Sequence, residues 1–330
     1  MTDKGTESNK LGLNCVAIGG GNGLSTLLSG LKGFVGLEIG RLSAIVAVSD
    51  DGGSSGRLRD ELHMPPPGDI RNCMVALSED SHLLSKLFRF RFEGEGDLGG
   101  HSFGNLFLAA LSEITGDFAE AVRLSSEILA SKGHIYPATV SDVRIAAELT
   151  DGTVIRGETE IGKVGPKIKR LCLEPENCHP LPDAMKAIEN ADLITVGPGS
   201  LYTSLLPPLL VNGVADAIAH TAATKVMICN LMTQPGETDG LSASKHLEII
   251  RDHMPQVRFD YIIVNDQVIS ERQATLYQVE GAIQIGVDGS ISESVIEGAK
   301  IIYGKLLDEG DMVRHDPLKL ARSVLDRVMA

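Results

Sequence analysis

The chain has 330 residues, 43% hydrophobic and 22% charged, so it carries ample apolar material for a core and does not have the composition of a disordered polymer. Acids outnumber bases 44 to 30 for a formal charge of -14, a field that repels phosphate backbones and anionic leaflets and argues against nucleic-acid or membrane binding. Five cysteines without a C-x-x-C pair read as reduced small hydrophobes rather than a zinc site, and the absence of an 18-residue apolar run or an apolar signal core reads as a cytoplasmic chain with no membrane span.

Residues 1–13 are polar and read as a flexible N-terminal tail, and residues 14–330 as one domain. Asn14–Ile18 is a short apolar strand, followed by a glycine cluster and a helical pattern from Leu24 to Leu31. Leu42–Val48 is a second continuous apolar strand that also ends in a glycine loop. Runs apolar on both faces belong to parallel sheets covered on each side by helices. From Gly68 to Lys132 the pattern is mainly helical, with Phe103–Ile114 and Asp117–Ala130 at helical spacing behind a polar loop, Glu93–Gly100. Residues 134–180 read as a β-rich insertion: Ile145–Leu149 and Val154–Arg156 flank an Asp151-Gly152 turn, and Ile168–Leu173 alternates apolar with basic residues. The α/β rhythm resumes with helix Ala184–Asn190, strand Leu193–Val196, helix Val211–Ala219, strand Lys225–Cys229, helix Ser242–His253 and strand Tyr261–Val264. It closes with an amphipathic helix over Leu318–Met329. This order predicts an α/β fold: a Rossmann-like, doubly wound, mostly parallel sheet with helices on both faces and a small β-rich insertion at about 134–180.

In open α/β sheets, ligands lie beyond the carboxyl ends of the strands. All five of those ends carry small, polar or charged residues, which is the main reason to expect a binding site there. After the first strand come Gly19, Gly20, Gly21, Asn22 and Gly23. Gly19 and Gly21 fit the first two positions of a dinucleotide fingerprint, but the third falls on Leu24, so a phosphate loop and a tight strand-to-helix turn both stand. After the second strand, Asp50 and Asp51 are placed to hold a ribose or Mg²⁺. Gly52, Gly53, Ser54 and Ser55 offer N–H groups and hydroxyls, and Arg57 follows; an Asp-rich turn is the other reading. Gly68, Asp69, Arg71 and Asn72 follow three prolines, with Arg71 a phosphate clamp or, alternatively, Asp69 a helix cap and Arg71 the partner of an acid. His101 and Asn105 open an apolar helix, where a histidine is more often a cap or loop residue than a catalyst. After the third strand come Gly197, Pro198, Gly199, Ser200, Tyr202 and Thr203, with Tyr202 suited to stack on a base or bond a phosphate. After the fourth come Asn230, Thr233, Glu237 and Thr238, as ligand contacts or helix caps, and Asn265 follows the fifth. No catalytic dyad is evident.

Taken in order, GGGNG, SDDGGSSGRLR, PPGDIRN, HSFGN, GPGSLYTSLLP, CNLMTQPGETDG and RHDP resemble the YvcK/CofD-like family from about residue 14 to about 325. The resemblance implies a Rossmann-like fold with a phosphate site at the glycine loops. One branch of the family is a magnesium-dependent 2-phospho-lactate transferase of deazaflavin coenzyme synthesis. The other, YvcK-type gluconeogenesis factors, is associated with growth on gluconeogenic carbon sources, cell shape and cell-wall synthesis, and binds UDP-sugars without an established activity. The long DDGGSSGRLR loop and the CNLMTQPGET segment are similar to the second branch, and by that resemblance Asn265 and Arg314 join the nucleotide contacts. The expectation is a non-enzymatic regulator binding UDP-N-acetylglucosamine, acting as a homodimer with a cell-wall synthesis or regulatory protein. Mg²⁺ at Asp50 and Asp51 is the one cofactor to consider. A nicotinamide oxidoreductase is disfavoured by the missing third glycine and the lack of a His/Arg hydride-transfer pair.

Overall fold

The computed structural model describes residues 12–79, 82–287, 291 and 296–328. The expected tail up to residue 11, residues 80–81 of the helical stretch and Met329 of the last expected helix lie outside the described residues. Leu13, placed in the tail by its sequence, already belongs to the first strand.

Seven parallel strands form the main sheet: β1 (Leu13–Gly19), β2 (Ile39–Val46), β3 (His134–Pro137), β7 (Leu193–Val196), β8 (Thr224–Ile228), β9 (Tyr261–Asn265) and β10 (Lys300–Gly304). Their order is β10-β9-β8-β7-β1-β2-β3. The chain winds outward from β1 through β2 to β3, returns to β7 on the other flank of β1, and winds outward again. This is the Rossmann order extended by one strand, and its direction reverses between β1 and β7, where ligands bind in such sheets. The central strands are buried on both faces: Val16, Ala17, Ile18, Ile45, Ile194, Val196, Ile228 and Ile263 are each 1% exposed or less. Helices Gly21–Leu31, Gly68–Leu77 and Pro317–Leu325 pack together against the sheet. Cys15 and Cys229 are buried in this core, and burial pushes both thiols up to about 12, as expected of inert small hydrophobes.

A second, antiparallel sheet has the order β5-β4-β6, from β4 (Arg144–Leu149), β5 (Val154–Arg156) and β6 (Ile168–Glu174). The β-rich segment therefore starts later than its sequence suggests, because residues 134–137 pair with β2 in the main sheet. β3 and β10 escaped the sequence reading for one reason. Both are edge strands, short and half exposed, and lack the continuous apolar run that marks a central strand. The expected helix Val211–Ala219 is found as Val214–His220, entered through Gly213 with φ +80°, and a separate short helix, Leu206–Leu210, stands before it. A wide helical turn, Leu201–Leu205, leads into Leu206–Leu210 where a loop was expected. Among the described residues no single helix is long and apolar enough to cross a membrane; the one bent pair that is, Leu201–Leu210 with Val214–His220 at 76°, packs in the core.

The insertion is tied to the helical layer by Arg59 of helix Gly53–Leu62, which is 2% exposed. Its Nε donates to Asp142 Oδ1 (2.8 Å) and its Nη2 to the Val143 carbonyl (2.6 Å). Removing the partner of a buried guanidinium leaves an uncompensated charge, a cost reduced here because Asp142 itself is 62% exposed. Asp142→Ala is expected to lose about 1 kcal/mol. Urea denaturation measures this, and an unchanged midpoint would show the tie to be dispensable.

Candidate functional site

The strand ends meet along one rim. β1 ends at Gly19, Gly20 is extended, and helix Gly21–Leu31 begins at once. A helix leaves its first N–H groups without intrahelical partners and concentrates partial positive charge there. One of these is already taken: Gly21 N–H donates to Asp69 Oδ2 (2.7 Å). Asp69 thus caps not its own helix, Gly68–Leu77, but the neighbouring helix after β1. The first turn still offers Asn22, which is exposed, and Gly23.

Facing that turn, Pro198, Gly199 and Ser200 follow β7. Gly199 is pinned from both sides by one side chain: its N–H donates to Asn230 Oδ1 (3.0 Å), and Asn230 Nδ2 donates to its carbonyl (2.7 Å). Gln234 Nε2 donates to Ser200 Oγ (2.7 Å). Between these loops lies a cleft of about 500 Å³, at the point where the strand order reverses. Of the residues picked out from sequence, Gly21, Asn22, Gly23, Pro198, Gly199, Ser200, Asn230, Thr233 and Arg314 line it. Thr26, Ser204, Gln234, Tyr277 and His315 line it as well and were not picked out. Gln234 sits within a segment that was noticed. Ser204 and His315 sit within two others, GPGSLYTSLLP and RHDP, while Tyr277 comes from a distant part of the chain and carries no local signal.

A second group gathers on the other flank of Gly20, which lies against Asp69, Ala47 and Ser204. Asp50 accepts from Gly52 N–H (2.8 Å). Asp51 turns the other way and accepts from the N–H and hydroxyl of Thr159 (3.0 and 2.8 Å), fastening the insertion to the rim. The pair read as a holder of ribose or Mg²⁺ is therefore split between two jobs. Among the described residues no group of three or more His, Cys, Asp or Glu side chains is placed to hold a metal ion. The residue that sequence missed is Glu158, brought in by the insertion. Burial pushes its carboxyl up to about 8, with the charges of Asp50, Asp69 and Asp51 adding to the rise and a hydrogen bond to Thr203 opposing it. Asp69 is raised to about 6, first by burial, against the lowering effect of the Gly21 N–H, with Asp50 raising it further and Arg71 lowering it.

Other expected contacts are structural. Tyr202 is 1% exposed and belongs to the core, not to a stacking face. Its N–H donates to Glu237 Oε1 (2.8 Å), so Glu237 caps the helical turn containing Tyr202 and Thr203. Thr238 Oγ1 accepts from Gln234 N–H (2.8 Å), and Thr233 Oγ1 from Ile283 N–H (2.8 Å). Asn265 is 2% exposed. It spends both ends of its amide on backbone, donating to the Gln267 carbonyl (2.8 Å) and accepting from Leu306 N–H (3.0 Å), so it anchors the segment after β10. Ser54, Ser55, Arg57, Gly68, Arg71, Asn72 and Asn105, on helices Gly53–Leu62, Gly68–Leu77 and Phe103–Thr115, form a third cluster beyond Asp50 with His101 of the preceding loop. Gly53 opens the first of these helices and Gly197 begins the loop after β7.

A family model described as 2-phospho-L-lactate transferase CofD matches residues 15–307. The gluconeogenesis factor of Halalkalibacterium halodurans is 47% identical over 313 residues, covering 95% of this chain and 96% of that protein. The gluconeogenesis factor of Bacillus subtilis is 45% identical over 309 residues, covering 93% and 96%. A crystal structure of a Bacillus halodurans protein superposes with a TM-score of 0.89 at 45% identity, covering 97% of this chain and all of that one.

Proposed function

This chain belongs to the CofD family, and from that premise we propose that it binds a nucleoside diphosphate sugar, UDP-N-acetylglucosamine, in the cleft between the β1 and β7 loops. In this reading it is a gluconeogenesis factor like its relatives: a ligand-sensing regulator that couples carbon supply to cell shape and wall synthesis. It works in the cytoplasm as a homodimer, through a cell-wall synthesis or regulatory protein. One observation carries the binding step. The cleft lies at the strand reversal, has the volume of a small-molecule site, and is floored by the Asn22 and Gly23 end of a helix N-terminus, whose Gly21 N–H is held by Asp69, and by the pinned Gly199 peptide. Arg314, exposed on its rim, supplies a positive charge. Calorimetric titration of the purified chain with UDP-N-acetylglucosamine is expected to give saturable one-site binding. No heat up to millimolar ligand would sink the reading.

A second reading, a phospho-lactyl transferase, draws on the family model and on the acid cluster. Asp50, Asp69 and Glu158 crowd the rim, and a carboxyl raised to about 8 holds a proton at neutral pH as a general acid must. Mg²⁺ prefers one or two carboxylates completed by substrate phosphates, and the free face of Asp50 fits that role better than an Asp50/Asp51 pair does. Metal-dependent turnover of an activated phospho-lactate with a deazaflavin acceptor would establish this reading. Ligand binding without turnover would remove it.

A further inference from the structure

The third cluster is not absorbed by the nucleotide cleft. Three arginines converge on four consecutive residues, Gly99–Ser102, one of which is His101. Arg57 Nη2 donates to the Gly99 carbonyl (2.6 Å), and Arg91 Nη1 donates to the Gly100 carbonyl. His101 Nδ1 meets Ser54 Oγ (3.0 Å), and Arg71 Nη1 donates to Ser102 Oγ (2.7 Å). Among the described residues, none of the three guanidinium groups has a carboxylate within ion-pair distance, in a chain of formal charge -14 whose other arginines are commonly paired. Arginine in an acidic protein ordinarily finds a carboxylate, because a carboxylate matches its planar fork and a peptide carbonyl does not.

Two further atoms are left open at the same place. Arg71 Nε is buried with no partner. Asn105, 2% exposed, donates to Ser54 Oγ (3.1 Å), yet the other end of its amide has no partner. Oxygen and nitrogen of such an amide are interchangeable by a flip that keeps the serine contact, so Asn105 is able to present a donor as well as an acceptor. Ser54 and Ser55 stand in the first turn of helix Gly53–Leu62, whose N-terminus has no side-chain cap. Positive groups crowd here: burial first, then Arg91 and Arg89, lower the Arg71 pKa, with Asp69 and Asp50 acting in the opposite sense. Carboxylates are near but do not neutralise the cluster, with Glu61 facing His101 and Asp69 facing Arg71.

The geometry points to a second anion site, formed by Arg57, Arg71, Arg91, His101 and the first turn of helix Gly53–Leu62, that takes a small phosphorylated ligand beside the nucleotide cleft. Arg57 and Arg91 rest on the carbonyls of Gly99 and Gly100, and Arg71 on the Ser102 hydroxyl, and they exchange these neutral acceptors for phosphate oxygens, which bind them more strongly. The site makes the chain a reader of two ligands, and it stands whether or not the nucleotide reading holds.

The test is a calorimetric titration of the full chain with inorganic phosphate at low ionic strength, alone and with 1 mM UDP-N-acetylglucosamine, on the order of a weak metabolite affinity. Saturable binding in both conditions is expected, weakened about tenfold by Arg91→Gln and less by Arg91→Lys, which keeps the charge but loses the fork. Arg91 is exposed, so the melting temperature should not move. If it falls by several degrees, Arg57→Gln read by the same titration takes its place. Absence of saturation, binding indifferent to both substitutions, or displacement of phosphate by UDP-N-acetylglucosamine would each overturn the inference, the last by showing one shared site. Failure of UDP-N-acetylglucosamine to bind, with phosphate binding intact and weakened by Arg91→Gln, would count against the nucleotide reading alone.

Discussion

Gly23→Ala is expected to lower the affinity for UDP-N-acetylglucosamine about 100-fold and to destabilise the chain by about 2 kcal/mol. A Cβ at Gly23 would stand 2.3 Å from the Pro198 carbonyl oxygen, 2.6 Å from its carbon and 2.9 Å from Gly199 N. All three are backbone atoms, so no side chain is able to swing aside. Gly23 sits in a helix at ordinary φ, and alanine there is otherwise favoured over glycine. Any loss therefore reports the contact and not the conformation. The loop it displaces is held by Asn230 on both faces of Gly199, so the whole floor of the cleft moves with it. Calorimetry measures the affinity and urea denaturation the stability. An alanine variant with unaltered stability would mean that the β1 and β7 loops do not meet as described; unaltered affinity alone would place the ligand elsewhere.

Glu158→Gln is expected to stabilise the chain at pH 8 by on the order of 2 kcal/mol and to flatten its pH dependence, a figure already reduced for partial solvent screening. The carboxyl of Glu158 is raised from its ordinary 4.5 to about 8. An acid with a raised folded-state pKa holds its proton more firmly folded than unfolded. The stability it contributes is complete below about 4.5 and is lost as the pH climbs through about 8. Asp69, raised to about 6, adds a loss in the same direction at lower pH. Wild-type stability should therefore fall between about pH 5 and pH 8, and the amide, which cannot ionise, should remove most of that slope. Thermal melts at pH 5, 6.5 and 8 decide it. A Glu158→Gln variant no more stable than wild type at pH 8 would mean that the carboxyl is ionised and paired in a way not described here.

Both predictions rest on residues whose meaning differed between chain and fold. The apolar runs of β1, β2, β7, β8 and β9 announced a parallel sheet, because strands covered on both faces have no polar side to show. The glycines and polar residues at their ends announced a rim. Family likeness in the same loops agreed with both. Local pattern also located Asp50, Asp69 and Asn230, but it read each of them by neighbours in sequence. Asp69 looked like the cap of its own helix and caps another 48 positions away; Asp50 and Asp51 looked like a pair and face different partners. Edge strands β3 and β10 were invisible because half-exposed strands carry no distinctive run.

The sequence by itself thus determined the fold class and the family, and pointed to the strand ends as the place to look for a site. Each of these depends on periodicity and composition over a few neighbouring residues. Only the tertiary structure decided which of those residues face the cleft, that Glu158 enters the acid cluster from the insertion, and that Arg57, Arg71 and Arg91 meet at Gly99–Ser102 with no carboxylate at ion-pair distance among the described residues. Burial, hydrogen-bond partners and charge proximity are set by segments distant in the chain, and no local pattern encodes which of them will arrive.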